Sequence, residues 1–252
     1  MRLFSKQESI VDFKIMDEGL LNAVPHPLPM VKVCPKTMKV KPKDELGLST
    51  SSIHWCLPVI DSMTTGFCIP LWMEFAVFKG EILVKSPPTG TIQEEHSMLK
   101  YFTVDVHDKA QLTNSVYGKN VVGQTSDGGI AKLKSPWCIK TPPGYSCLIV
   151  APLHRPDIPV QVLPAIVDTD TYFNEINFPF FIKSNFEGKV PINTPIAQII
   201  PFKRNKLSYK VSAFTPRDFV NHSTVKYKIG AKMQNAYATF FRAARQRIRI
   251  DE

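Results

Sequence analysis

KTPPGYSCLIVAPLHRPDIPVQVLPAIVDTDTYFNEINFPFFIKSNFEGKVPINTPIAQIIPFKR, running from Lys140 to Arg204, decides how the rest of the chain is read. Short apolar runs at 146–150, 165–167, 178–182 and 196–200 alternate with punctuation rich in Pro, Gly, Asn and Asp. Apolar runs of this length between breakers are what buried or half-buried strands look like. The stretch predicts a mainly β core, taken to span residues 51–205.

On the N-terminal side of it, 67–78 is strongly apolar, with Phe67, Trp72, Phe75 and Phe78, and predicts strands through the centre of the core. Residues 61–66 read as a short helical turn or tight loop, and 81–90 as a strand closed by a turn. Two short, more polar runs fill 91–108. Residues 109–136 are polar, with a hairpin-type turn at Ser126-Asp127-Gly128-Gly129. Residues 1–50 read as an arm: Pro25, Pro27, Pro29, Pro35 and Pro42 favour an extended, polyproline-like path. Such an arm lies either on its own domain or on a neighbouring subunit.

Beyond Arg204 the text changes. Residues 207–214 read as one further strand and 217–223 as loop or short helix. Met233, Ala236, Tyr237, Phe240, Phe241, Ala244 and Ile248 recur at helical spacing and predict an amphipathic helix over about 231–248. The expected organisation is arm, β core, and a basic extension over 206–252.

Composition narrows the classes. Proline at 21 of 252 residues argues against a mainly helical fold. Five cysteines, Cys34, Cys56, Cys68, Cys138 and Cys147, form no C-x-x-C pair and read as buried thiols in a reducing compartment. No apolar run approaches the roughly 20 residues that span a bilayer, and charge interrupts the first 19 residues too often for a secretory signal. These features predict a soluble protein of the cytoplasm at synthesis. The charge is lopsided: residues 1–202 hold 19 basic against 19 acidic residues, and 203–252 hold 12 against 3. A basic contact surface on a neutral body follows from that asymmetry.

Complete catalytic signatures are missing. There is no nucleophile elbow, no phosphate-binding Gly loop, and no H-x-D/E iron pattern. His54 and Cys56 stand close, but paired zinc-ligand spacing is absent and the core-thiol reading of Cys34, Cys56 and Cys68 is preferred. Asp168 and Asp170 flank Thr169, so on a strand they share one face. They either hold a divalent cation or cap a turn. Arg242, Arg245, Arg247 and Arg249 can pair with phosphates, acidic protein surface or anionic lipid, or form a solvated helix face.

Two resemblances follow from the quoted residues. CLPVIDSMTTGFCIPLW, WCIKTPPGYSCLIVAPLHRPD, IVDTDTYFNEINFPFFI and INTPIAQIIPFKR are similar to a protein family common in tailed bacteriophages, marine myoviruses included. This resemblance implies a phage protein and brings no activity with it. More distantly, 142–202 resembles the β-clip core of the trimeric dUTPase and dCTP deaminase superfamily. Pro143-Gly144, Ile166-Val167-Asp168-Thr169-Asp170-Thr171-Tyr172 and Asn193-Thr194-Pro195-Ile196-Ala197-Gln198-Ile199 carry it. It implies that Asp168 orients an attacking water and that Tyr172 stacks on a deoxyribose, with Asp170, Gln198 and Arg155 as ligand contacts. Mg²⁺ is implied only with nucleotide hydrolysis; otherwise no cofactor is expected. His154-Arg155-Pro156-Asp157 stands where the family has its triphosphate-binding P-R-S-G segment, and the C-terminal Gly-rich motif is missing. A proline-rich loop offers few N–H donors to phosphate.

The sequence therefore predicts a mainly β protein, β-clip or jelly-roll-like, with a Pro-rich arm and a C-terminal amphipathic helix. It predicts a non-enzymatic phage structural or binding protein, homo-oligomeric, contacting other phage proteins or nucleic acid, in the host cytoplasm or the virion. The alternatives are a dUTPase-like nucleotide-binding or hydrolysing protein and a host-targeting regulatory protein.

Overall fold

A computed structural model describes residues 11–34, 56–84, 100–107, 130–183, 186–232 and 236–243. The expected turn at 126–129, His54, most of the proline arm beyond residue 34, and Arg245, Arg247 and Arg249 lie outside the described residues. Strands hold 38% of the described residues and helices 23%, so the fold is mainly β, built of antiparallel sheets that do not close into a barrel. The chain divides into two units, residues 1–34 with 63–204 and residues 35–62 with 205–252.

In the first unit β7 (Ile130–Lys140) organises one sheet. On one side it pairs with β11 (Glu175–Ile182), which in turn pairs with β9 (Val160–Val162). On the other side β6 (Val104–His107) covers Ile130–Leu133, and β1 (Asp12–Ile15) covers Trp137–Lys140. Pro136 falls between these two partners, and the β11 register shifts opposite it. A residue without an N–H is tolerated at such a break in the ladder. Ser135 helps close the gap by accepting from the Trp137 N–H at 3.0 Å.

The second sheet runs β10 (Ala165–Val167), β8 (Tyr145–Val150), β13 (Pro195–Lys203), β3 (Phe67–Pro70), β2 (Leu28–Pro29). A third joins β12 (Gly188–Val190), β4 (Phe75–Phe78) and β5 (Glu81–Val84). The four apolar runs of the deciding stretch thus lie in β8, β10, β11 and β13. Side chains of all three sheets meet in one apolar core, which includes Leu133, Ile149, Phe178, Val190 and Ile199. Trp72 packs on Phe178 and Phe75 on Phe180, at ring separations of 6.3 and 5.9 Å. The Trp72 indole N–H donates to the Tyr101 carbonyl at 2.7 Å, so its polar atom is buried with a partner. Burial pushes the Cys68 thiol up to about 12 and raises that of Cys147, as expected of core thiols.

Residues 11–34 pack on their own domain, but as strands and short helices rather than as an extended arm. Residues 12–15 are a strand of the first sheet. Asp17 caps α1 (Glu18–Ala23) by accepting from the Gly19 and Leu20 N–H groups. Leu20, Val24 and Met30 are buried, and α2 (Met30–Val33) follows directly on β2.

In the second unit the C-terminal segment carries helix, and part of the expected 231–248 range lies outside the described residues. The longest helix among the described residues is α4 (Pro216–Ala231), and the described part of the apolar stripe forms α5 (Ala236–Phe240). Thr215 and Asp218 form a reciprocal capping box with Pro216 in the first turn, a strong start signal. α5 stops because the Tyr237 carbonyl accepts from both the Phe241 and Arg242 N–H groups, at 3.0 and 2.8 Å. Residues 204–215, expected to hold a strand, take neither strand nor helix.

Candidate functional site

The site grows from a turn. Pro142, Pro143, Gly144 and Tyr145 close with the Tyr145 N–H donating to the Pro142 carbonyl, and Gly144 has φ +83°. A type II turn wants Pro at its second position and a left-handed residue at its third, which glycine adopts without strain. The turn launches β8. Across the sheet, Tyr145 and Ser146 register against Lys203 and Phe202 of β13, and the Arg204 N–H donates to the Gly144 carbonyl at 2.8 Å.

On the other side of β8, Val167 at the end of β10 registers with Cys147. Residues 168–170 then continue into a tight turn in which the Thr171 and Tyr172 N–H groups donate to the Asp168 carbonyl. Thr169 points inward, fully buried, with its hydroxyl 2.7 Å from that of Thr141 and donating to the Cys147 sulfur. Asp168 and Asp170 therefore turn to the same outer face, as their alternation requires.

The cation they share is Arg204. Its Nη1 and Nη2 donate to both carboxylate oxygens of Asp170, at 2.8 and 2.5 Å. Nη1 also donates to Asp168 Oδ1 at 3.1 Å, to Ser146 Oγ at 2.9 Å and to the Tyr145 carbonyl at 3.1 Å. The Ser146 hydroxyl donates to Asp168 Oδ1 at 2.6 Å, and the Gly144 N–H to Asp170 Oδ2 at 2.7 Å. The two carboxylates differ in exposure, 59% for Asp168 and 7% for Asp170. Hydrogen bonds from Arg204, then from the Gly144 N–H, hold the Asp170 carboxyl at about 2, well below the usual carboxylate range.

This arrangement is a planar fork of charge-assisted hydrogen bonds, and it changes the chemistry open to the pair. A carboxylate that orients water needs its lone pairs turned to the water. Asp170 is bound on both oxygens, whereas Asp168 takes a hydroxyl and a guanidinium on Oδ1 alone and keeps Oδ2 toward the exposed side. In this structure the cation between the two carboxylates is Arg204, which sequence reasoning counted only as tail charge. Among the described residues, no three His, Cys, Asp or Glu side chains gather as a metal site.

Tyr172 and Phe173 follow, each about half exposed. Asn174 Nδ2 donates to the Tyr172 hydroxyl at 3.2 Å, and the Lys140 ammonium lies 5.9 Å from the Phe173 ring centre. The remaining expected residues are placed elsewhere. Gln198 is buried on β13, opposite Val150 and four positions before Phe202. It accepts from the Leu153 N–H at 3.0 Å and donates to the Thr65 carbonyl at 2.9 Å, tying two loops to the core. Arg155 forks onto Asp157 at 2.8 and 2.6 Å and borders a groove of about 340 Å³ with Phe186, Lys189 and Thr194. Neither contributes a hydrogen bond to the Arg204 fork. Arg242, expected as a contact for an outside partner, forks instead onto Asp61 of α3 (Leu57–Thr64), at 3.2 and 2.5 Å within the second unit.

No protein-family model matches the sequence, and no curated protein matches it significantly. Among the described residues no helix is long and apolar enough to cross a membrane.

Proposed function

We propose that the chain is a non-enzymatic structural or binding protein of bacteriophage type. In this reading it works as a homo-oligomer and meets other phage proteins or nucleic acid through the basic residues after β13, in the host cytoplasm or in the particle. The observation that carries the reading is the state of residues 205–231. No residue of α4 is buried, and Leu207 and Tyr209 are 91% and 90% exposed. Exposed apolar rows of this extent mark contact surfaces. The 12 basic and 3 acidic residues of 203–252 favour an acidic partner over a neutral one.

Light scattering on the full chain and on a chain ending at Arg204, at low and high salt, tests this. Assembly that needs the residues after Arg204 is expected. A full chain that stays monomeric at every concentration and salt overturns it.

A second reading, a nucleotide-binding or hydrolysing protein, draws on Tyr172 and Phe173 half exposed beside Asp168. It requires pyrophosphate release from a deoxynucleoside triphosphate with Mg²⁺, abolished by Asp168→Ala, or at least saturable binding weakened by Tyr172→Ala. Neither turnover nor binding with any of the four removes it.

A further inference from the structure

Residues 206–213 read Lys-Leu-Ser-Tyr-Lys-Val-Ser-Ala, a strict alternation. In an extended chain Leu207, Tyr209, Val211 and Ala213 fall on one face, and Lys206, Ser208, Lys210 and Ser212 on the other. That is the pattern of a strand with one buried face. Yet these residues sit in no sheet, and Leu207, Tyr209 and Val211 are all more than three-quarters exposed. The segment follows β13 directly and is fenced at its far end by the Thr215 capping box, so its length is set on both sides.

We propose that residues 206–213 form a strand completed by a second copy of this chain, added along the outer edge of that copy's β10. The proposal rests on the assembly reading above and names its surface. Among the described residues β10 is an edge strand that pairs with β8 only, and its Ile166 is exposed. Asp168, whose carboxylate is mostly exposed, stands at the end of that edge, opposite in charge to Lys206 and Lys210. Strand addition supplies the backbone hydrogen bonds, and the apolar row supplies the burial.

A phosphate-bearing partner would engage the lysine face and leave Leu207, Tyr209 and Val211 in water. A sheet edge takes up both the backbone and the apolar row. Aromatic side chains bury about 150–250 Å² each, and Tyr209 with Leu207 and Val211 on the same face, all largely exposed, gives the segment an apolar row to remove from water.

The test uses the full chain and reads solution mass against concentration by light scattering. Three variants are compared with the wild type: Leu207→Ser/Tyr209→Ser/Val211→Ser, Ser208→Pro/Tyr209→Pro, and Ile166→Lys. Adjacent prolines delete an N–H on each side of an extended segment, so the ladder fails whichever side faces the edge. Circular dichroism of each variant, unchanged from the wild type, shows that the β core is intact. Each variant is expected to raise the half-assembly concentration at least ten-fold. A wild-type assembly that survives both tail variants within two-fold overturns the strand while leaving the assembly reading standing. One that survives only Ile166→Lys overturns β10 as the acceptor. A wild-type chain that is monomeric throughout overturns both readings, and another protein is then the tail's occupant.

Discussion

The residues up to Arg204 and those after it are built on opposite principles. Before Arg204, most polar groups that enter the interior are held by partners, Gln198 by two loops, Thr169 by Thr141 and Trp72 by the Tyr101 carbonyl, with the buried Trp137 indole N–H as an exception. After it, the helix α4 buries none of its residues, and its start is secured by a local cap. One part is specified by packing; the other is specified by local chemistry and left with an open surface. A segment can therefore be well formed and still unfinished.

Mutations should divide along that line. Phe178→Ala removes a ring that is 1% exposed at the centre of the core and should cost about 3–5 kcal/mol in urea unfolding. Gly66→Ala should come close behind. A Cβ there would lie 2.0 Å from the Ile199 carbonyl oxygen, and φ is +72°, so β13 itself must shift. A loss of at least about 3 kcal/mol is expected, by the same measurement. Gly144→Ala sharpens the contrast, because φ is +83° there but no atom lies within 4 Å of the added carbon. Only backbone strain remains, about 1–2 kcal/mol.

The fork predicts a pH dependence of definite sign. The Asp170 carboxyl is at about 2 when folded, against roughly 3.9 for an unperturbed aspartate. The depressed value contributes stability that is full above about pH 4 and lost as pH falls through about 2. Asp170→Asn should therefore be less stable than wild type at neutral pH. The two curves should converge across that acid window. Parallel curves down to pH 2 would show that the fork does not hold Asp170 in solution. Smallest of all, Tyr227→Ser on α4 should change unfolding by no more than about 0.5 kcal/mol at concentrations where the chain is monomeric. A larger loss would mean that this side chain is buried in solution, and the comparison would fail there.

Much of the first region was legible in the sequence because its signals are local. Apolar runs between Pro and Gly gave β8, β10, β11 and β13, and the alternation around Thr169 put Asp168 and Asp170 on one face. The Arg204 fork was not legible. Its members stand 34 and 36 residues apart, and only the registers of β8 against β13 and β10 bring them together. Asp12–Ile15 escaped notice because four residues between charges carry too little pattern without their β7 partner. In the tail, helical spacing pointed to α5, whereas α4 was read only as a loop or short helix over 217–223, because its signal is the capping box at Thr215 rather than an apolar stripe.

The place where the tail leaves the body has a mechanical consequence. β13 is third of five strands, paired with β3 over Pro195–Ile199 and with β8 over Gln198–Lys203. A pull on the tail would thus reach a central strand rather than an edge. Such a pull is resisted first by Arg204, whose backbone and side chain are fastened to Gly144, Asp168 and Asp170. Load directed along β13 would then fall in shear first on the β8 ladder, with the β3 ladder beyond it. The junction at Arg204 is a place where force applied to the exposed segment can be borne without opening the core.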